Sequence, residues 1–368
     1  MIISIIKILL SIYVMWKVSS SFDLAASYLT RNWGNGIKGP TVNAIASSLP
    51  ELLISFMFLF YYKDIIGFSA GYATIIGSSA FNIAFIPIIS YVFIYIKNKN
   101  VVYDVNKSIV LQDGLFLLAS IIILSFGFFI GVNYYLSFLL LSLYCIYVYH
   151  IYSTRRNKNT SNTENNKDVF NRKIEKGKSN YITSLINLRL FNILFMNFIN
   201  GLNSIIVILF SVILIGSSCW FLILAVEEIS VYYEVNLFIT AFFVAAISSS
   251  IPDTILSIKD AKHNKFLDSF SNSYGSNIFD ICIGIGLPVL IYSLVYDPIE
   301  MNIPIDRVGL LDLGAYIFNG NLLIWSLFIL FIFTLITSLI YYSGKINFKN
   351  SVLILLLYLG FIISLLAF

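Results

Sequence analysis

Charge is scarce in this chain. Only 11% of its 368 residues are Asp, Glu, Lys or Arg, where a soluble domain carries about a quarter. With 58% hydrophobic residues and a mean hydropathy of +0.87, that excludes a soluble globular enzyme, a disordered chain and a nucleic-acid binder. Histidine and cysteine are scarcer still. His150 and His263 sit near the edges of apolar runs, and Cys145, Cys219 and Cys282 lie far apart within such runs. Three scattered thiols make neither a disulfide framework nor zinc-ligand spacing, so they read as small buried hydrophobes. A transition-metal centre wants imidazole or thiolate, and neither is clustered here.

Long apolar runs are abundant. They fall at about 2–30, 38–62, 66–96, 108–130, 134–153, 199–227, 236–259, 268–295, 319–342 and 349–367. A helical span needs about 20 apolar residues, so ten spans leave short loops and no room for a large soluble domain. The expectation is an all-α polytopic membrane protein. The first run resembles a signal peptide at its start. No clean small-residue cleavage site follows it, and Lys17 and Asp23 continue a helical pattern, so it counts as a span. An amphipathic stretch at 182–197 precedes the sixth run and suits the membrane interface. Residues 154–181 form one basic, Asn/Ser/Thr-rich linker, read as a solvated cytoplasmic connector. The division is therefore 1–153, a linker with its interfacial stretch at 154–197, and 198–368.

The basic residues set an orientation. With the amino terminus outside, the inner loops hold 19 of the 23 Lys and Arg, including nine from Arg155 to Arg189. The outer loops hold Lys63 and Arg307 and are otherwise acidic, with Glu227, Glu228, Glu234, Asp297, Glu300, Asp306 and Asp312. Lys7 and Lys17 lie in the first span. The positive-inside rule then puts both termini outside the cytoplasm.

A repeat carries the function. Residues 47–55 read Ser-Ser-Leu-Pro-Glu-Leu-Leu-Ile-Ser, and residues 249–257 read Ser-Ser-Ile-Pro-Asp-Thr-Ile-Leu-Ser. Further along each copy, residues 77–83 read Gly-Ser-Ser-Ala-Phe-Asn-Ile and residues 275–281 read Gly-Ser-Asn-Ile-Phe-Asp-Ile. Two linked motifs recurring in the same order mark an internal duplication. The copies begin at the second and seventh spans, an odd number apart, so they enter the membrane from opposite sides. The expected architecture is two inverted five-helix repeats, an arrangement that places ion sites near the midplane in secondary transporters.

Each motif also has chemistry. Pro50 and Pro252 lack an N–H, and each is expected to break its helix and free carbonyls around 44–48 and 246–250. Such carbonyls are tolerated at membrane depth only inside protein or lining a cavity. Glu51 and Asp253 follow the prolines directly. Ser47 and Glu51 are four apart, as are Ser249 and Asp253, Ser78 and Asn82, and Ser276 and Asp280. Residues at that spacing share a helix face. The set is all oxygen, which suits hard cations such as calcium, magnesium and sodium. Intramembrane acids are costly and mark function.

On these residues the chain resembles the cation/calcium exchangers, the sodium/calcium exchanger superfamily. The resemblance covers all ten spans, and its specific part is the two repeats at about 38–96 and 236–295. The family pattern is close to Gly-Thr-Ser-x-Pro-Glu followed by Gly-Ser-Asn-x-Phe-Asn. Here Ala46-Ser47-Ser48 and Ser248-Ser249-Ser250 replace Gly-Thr-Ser, Ser79 replaces an Asn, and Thr74 stands where the family has Asn, which the second repeat keeps as Asn272. Serine preserves the hydroxyl, while the lost glycines bear on packing and selectivity. The resemblance implies that Glu51 and Asp253 hold calcium, helped by the carbonyls of Ser47 and Ser249. It implies one flanking sodium site of Ser48, Ser78 and the Ala44 carbonyl, and a mirror site of Ser250, Ser276 and the Ala246 carbonyl, with Asn82 and Asp280 as the central pair. Asp253 and the Phe-Asp ending lean toward the potassium-dependent sodium/calcium exchanger branch.

The implied activity is antiport of calcium for sodium by alternating access, with calcium/proton antiport on the same fold as the alternative. Glu51, Asp253 and Asp280 sum to a charge of −3 if ionised, and one calcium leaves −1 to be met by potassium or a proton. Three sodium ions neutralise the site alone. Family analogy has the first and sixth spans sliding past a core of the two repeats. No enzyme activity, cofactor, nucleic acid or obligatory protein partner is expected; the partners are the transported ions and the lipid bilayer. A magnesium carrier fits less well, because magnesium sheds water reluctantly. An intramembrane aspartyl protease using Asp253 and Asp280 lacks its Gly-x-Gly-Asp motif, since Gly284-Ile285-Gly286 runs into Leu287. The compact loops resemble prokaryotic exchangers, which points to a cell membrane.

Overall fold

The computed structural model describes residues 1–31, 41–42, 44–97, 99, 103–156, 181–263, 266–296, 298–299 and 321–367. Most of the basic linker, and Lys38, Asp297, Glu300, Asp306, Arg307 and Asp312, lie outside the described residues. Among the described residues, ten helices are long and apolar enough to cross a membrane: Ile2–Leu29, Ala44–Tyr62, Ile65–Ile96, Lys107–Phe128, Tyr134–Thr154, Gly201–Tyr233, Leu237–Lys262, Phe266–Val295, Leu322–Tyr341 and Phe348–Leu366. Leu9, Leu209, Phe138, Leu339 and Leu356 are among many large apolar side chains left exposed. Apolar surface on that scale belongs against lipid rather than water. The chain is an integral, multi-pass membrane protein.

Asparagine sets many helix starts. Asn106, Asn200, Asn236, Asn321 and Asn347 open the fourth, sixth, seventh, ninth and tenth spans, each accepting a hydrogen bond from a backbone N–H two or three residues on. That satisfies a donor which the first helical turn leaves without a partner.

The loops show which ends share a face. Tyr103–Asp104 pairs antiparallel with Lys345–Ile346, so the third-to-fourth and ninth-to-tenth loops lie together. Gly344 takes the positive φ of +87° that this turn requires. On the other face, Val132 bridges Ile299, and the Tyr292 hydroxyl donates to the Lys63 carbonyl at 2.8 Å. The alternation matches the spacing of the spans, so the second and seventh spans run in opposite directions. The loops from the first to second, third to fourth, fifth to sixth, seventh to eighth and ninth to tenth spans share one side, here termed the basic face.

The four motif-bearing spans form the centre. The second, third, seventh and eighth have 61%, 56%, 61% and 61% of their apolar windows buried, against 28% for the first and tenth. Gly77 permits a close approach between the repeats: a Cβ there would stand 2.5 Å from the Phe242 carbonyl oxygen and 2.7 Å from the Ala246 Cβ. The first and sixth spans lie antiparallel at the side. Glu228 accepts from Ser4 at 2.7 Å and from Lys7, and Cys219 meets Met15 at 3.9 Å.

Three expectations need correction. The stretch at 182–197 is two short helices, Tyr181–Ile186 and Leu190–Phe195, rather than one. Ser21 of the first span holds the break, donating to the Leu188 carbonyl at 3.0 Å and accepting from the Leu190 N–H at 3.2 Å; Leu188 takes a left-handed φ of 47°. Cys145 is exposed on the fifth span, whereas Cys219 and Cys282 are buried. Pro50 sits inside a continuous helix from Ala44 to Tyr62; of the two motif prolines, Pro252 alone follows an interruption, at Ser250 of the seventh span.

Candidate ion-binding site

The duplicated motifs converge. Glu51, Ser48, Ser78, Asn82, Ser249, Ser250, Asp253, Ser276 and Asp280 are all fully buried, and Ser47 is nearly so. Helical spacing places Ser78 under Asn82, whose Nδ2 lies 3.3 Å from the Ser78 oxygen. From there the Asn82 amide reaches across the repeat boundary to Asp253 Oδ2 at 3.0 Å and Ser276 Oγ at 3.4 Å. Its fourth neighbour is Asn277 Oδ1 at 3.1 Å. An amide nitrogen has two hydrogens, so four oxygens around it are more acceptors than it can serve.

Ser78 is the second hub. Its hydroxyl stands 3.2 Å from Glu51 Oε1 and 3.4 Å from Asp280 Oδ2, and it accepts from Ser250 Oγ at 2.8 Å. One hydroxyl hydrogen cannot serve two carboxylates at once. The repeats also cross-pair: the Ser249 hydroxyl interacts with Glu51 and the Ser47 hydroxyl with Asp253, while the Ser48 hydroxyl is buried without a hydrogen-bond partner. Oxygen remains unpaired nevertheless. Glu51 Oε2, Asp253 Oδ1, Asp280 Oδ1 and Asn82 Oδ1 are buried without a hydrogen-bond partner. Four such atoms in one place are costly unless a cation or proton meets them. The donor set fits a hard cation.

The carbonyls behave differently from expectation. Ala246 O accepts from Ser249 Oγ at 3.1 Å and from the Ser250 N–H at 3.1 Å, and it lies 2.8 Å from Ser250 Oγ, whose one hydrogen is shared between this carbonyl and Ser78; Ala44 O accepts from Ser47 Oγ at 3.5 Å. Serine hydroxyls hold both, because a short side chain one turn on reaches back to the helix carbonyl. Among the described residues no group of three His, Cys, Asp or Glu is placed to hold one metal ion. Carboxylates alone therefore do not form a cage there.

Some residues of the site escape motif reading. Asn277 joins both repeats, since its Nδ2 also donates to the Ser79 carbonyl at 3.0 Å; the signal was its mismatch with Ser79 in the duplicated motif. Asn272 donates to Ser257 at 3.1 Å. Asp113 is fully buried in the fourth span, beside Ser271 Oγ at 2.6 Å. Asp23 in the first span faces Lys259 at 3.6 Å. These two acids stand in apolar runs outside any repeat, so the duplication does not point to them.

Known proteins share this architecture. Over 99% of the chain superposes on 82% of an H+/Ca2+ exchanger CAX, with a TM-score of 0.69 and 16% identity. It also superposes over 99% of its length on 98% of the sodium-calcium exchanger NCX_Mj, with a TM-score of 0.58 and 19% identity. Identities this low show a common fold. A stretch of 61 residues is 43% identical to the sodium/potassium/calcium exchanger Nckx30C of Drosophila melanogaster, which is 16% of this chain and only 7% of that protein. The sequence pattern of the sodium/calcium exchanger proteins matches residues 3–153 and 203–367. The chain belongs to the sodium/calcium exchanger protein family.

Proposed function

We propose that the chain exchanges calcium for sodium across a membrane, through one site at the interface of the two repeats. The observation that carries this reading is the surplus of oxygen around Asn82. A half-turn of the Asn82 amide puts Oδ1 where Nδ2 stands, and the four surrounding oxygens gain a fifth. A cation then replaces the amide hydrogens as the positive partner. Glu51 and Asp253 are the main calcium ligands, with Ser47 and Ser249 beside them. Ser48 and Ser78, and Ser250 and Ser276, take sodium on either side, with the Ala44 and Ala246 carbonyls released from their serines. Asn82 and Asp280 form the centre.

Charge explains the coupling. Burying ions without partners costs several kcal/mol each, so a site of three acids crosses only when loaded. Calcium alone leaves one negative charge, which potassium or a proton on a carboxylate neutralises. The crowding of Glu51 and Asp280 on one Ser78 hydroxyl favours a shared proton as the second reading, calcium/proton antiport. The first and sixth spans, tied at Glu228 and Met15, move as one unit past the core. The basic face is cytoplasmic by the positive-inside rule, both termini lie outside, and the membrane is that of the cell.

The test is radiolabelled calcium uptake into proteoliposomes with sodium inside and choline outside, repeated with a pH gradient and with and without potassium. Uptake that needs internal sodium and vanishes in Glu51→Gln supports the exchange of calcium for sodium. Uptake driven only by protons moves the chain to calcium/proton antiport. No calcium movement under any gradient overturns the substrate.

A further inference from the structure

A narrow cavity opens between the first span and the core, on the side of the molecule toward the basic face. Its lining takes Ser19, Ser20 and Asp23 from the first span, Ser47 from the second, and Pro252 and Lys259 from the seventh. Lys259 is its half-exposed member and Ser47 is buried. Ser47 and Pro252 belong to the two duplicated motifs, so the cavity borders the segments that carry Glu51 and Asp253. Asp23 is only 9% exposed. One of its oxygens lies 3.4 Å from the Ser27 hydroxyl and the other 3.6 Å from the Lys259 ammonium. The Ser19 hydroxyl, in the cavity wall, is buried without a hydrogen-bond partner.

A carboxylate in a cavity wall concentrates cations there. Lysine is a compact charge on a flexible four-carbon stem, and Lys259 is half-exposed, so its ammonium can leave without disturbing the helix. The pair also ties the first span to the seventh, two elements that must shift relative to one another if the site is to change sides. We propose that Asp23 and Lys259 form an ion-pair gate on the basic face. Asp23 draws the incoming cation into the cavity, and Lys259 is its tethered competitor, displaced before the ion passes to Ser47. Only the identity of the passing ion rests on the calcium-exchange reading above.

The two partners have opposite roles, and that separates a gate from a structural clasp. In reconstituted vesicles of known orientation, Lys259→Gln is expected to lower the calcium KM several-fold at the basic face, and Asp23→Asn to raise it several-fold. KM at the opposite face stays unchanged in both. Equal shifts in the same direction, or the same shift on both faces, would overturn the gate. A second measurement needs no transport. With Ser20→Cys in a Cys145→Ser background, the alkylation rate by a cationic impermeant thiol reagent is compared with that of a neutral one. The ratio rises with Lys259→Gln and falls with Asp23→Asn if the gate exists, and stays constant if it does not. Should the unaltered chain move no calcium while the ratios shift as stated, the ion assignment fails and the gate stands.

Discussion

In the first repeat, Asn82 lies within an unbroken helix, Ile65–Lys97, and Pro50 within another, Ala44–Tyr62. In the second repeat, Asp280 opens a π-helical turn, Asp280–Ile285, and the helix before Pro252 stops at Ser250. A π turn inserts an extra residue into the helical register and is found often at functional sites. The duplicated motifs therefore agree in residue type but not in backbone. The first repeat supplies a neutral amide on a regular helix, and the second supplies a charged acid on an irregular one. In the proposed site, this difference puts one extra negative charge, and the need for one extra positive charge, on the second-repeat member of the central pair.

The comparison breaks most directly at the acids that the repeats share. Glu51→Gln and Asp253→Asn are each expected to weaken calcium binding about 100-fold, about 2.8 kcal/mol, and to stop calcium uptake. A tenfold difference between the two variants would show that the repeats do not contribute equally. Asp280→Asn makes the central pair alike. It should leave a site that calcium alone neutralises, so uptake persists at a several-fold higher KM and loses its dependence on potassium or protons. Unchanged dependence on the monovalent ion would refute this account of coupling.

Two smaller effects sharpen the picture. Gly77→Ala drives a methyl group into the Phe242 carbonyl, 2.5 Å from the ideal Cβ. Overpacking costs about 1–3 kcal/mol, and thermal unfolding in detergent should shift downward accordingly. Asn277→Ala removes the link between Asn82 and the Ser79 carbonyl. At about 1 kcal/mol per hydrogen bond, calcium affinity should fall about fivefold, measured by the same binding titration.

Most of the fold was legible because lipid imposes a strong rule on sequence. Ten apolar runs correspond to ten helices, from 2–30 for Ile2–Leu29 to 349–367 for Phe348–Leu366. Ends were less legible. The ninth run, read from 319, begins at Leu322 because Asn321 caps it, and the sixth, read to 227, continues to Tyr233. Hydropathy drops at the charged residues Glu227 and Glu228, but the backbone remains helical. The contacts that bind Glu228, from Ser4 and Lys7, come from the distant first span and leave no local trace.

The candidate site was legible through its duplication. Glu51, Asp253, Ser78, Asn82 and Asp280 repeat in pattern, and the structure brings them together. What repetition does not mark was missed: Asp23 and Asp113 have no mirrored motif. The effect of proline was also misjudged at one of two places. A proline removes one N–H from the ladder, yet the helix around Pro50 stays continuous, although the second and seventh spans are equally buried. The same residue type interrupts the seventh span at Ser250, although π-helical backbone precedes the motif in both repeats, at Thr41 and Val42 and at Ala241–Ala245.

The central claim is that the two repeats make one site. Calcium titration of the protein in lipid nanodiscs, followed by calorimetry, tests it most directly. The account predicts one high-affinity calcium per chain, weakened about 100-fold in Glu51→Gln and again in Asp253→Asn, with no high-affinity calcium left in either. Two calcium ions per chain, with one surviving in each variant, would contradict it and divide the site into two independent halves.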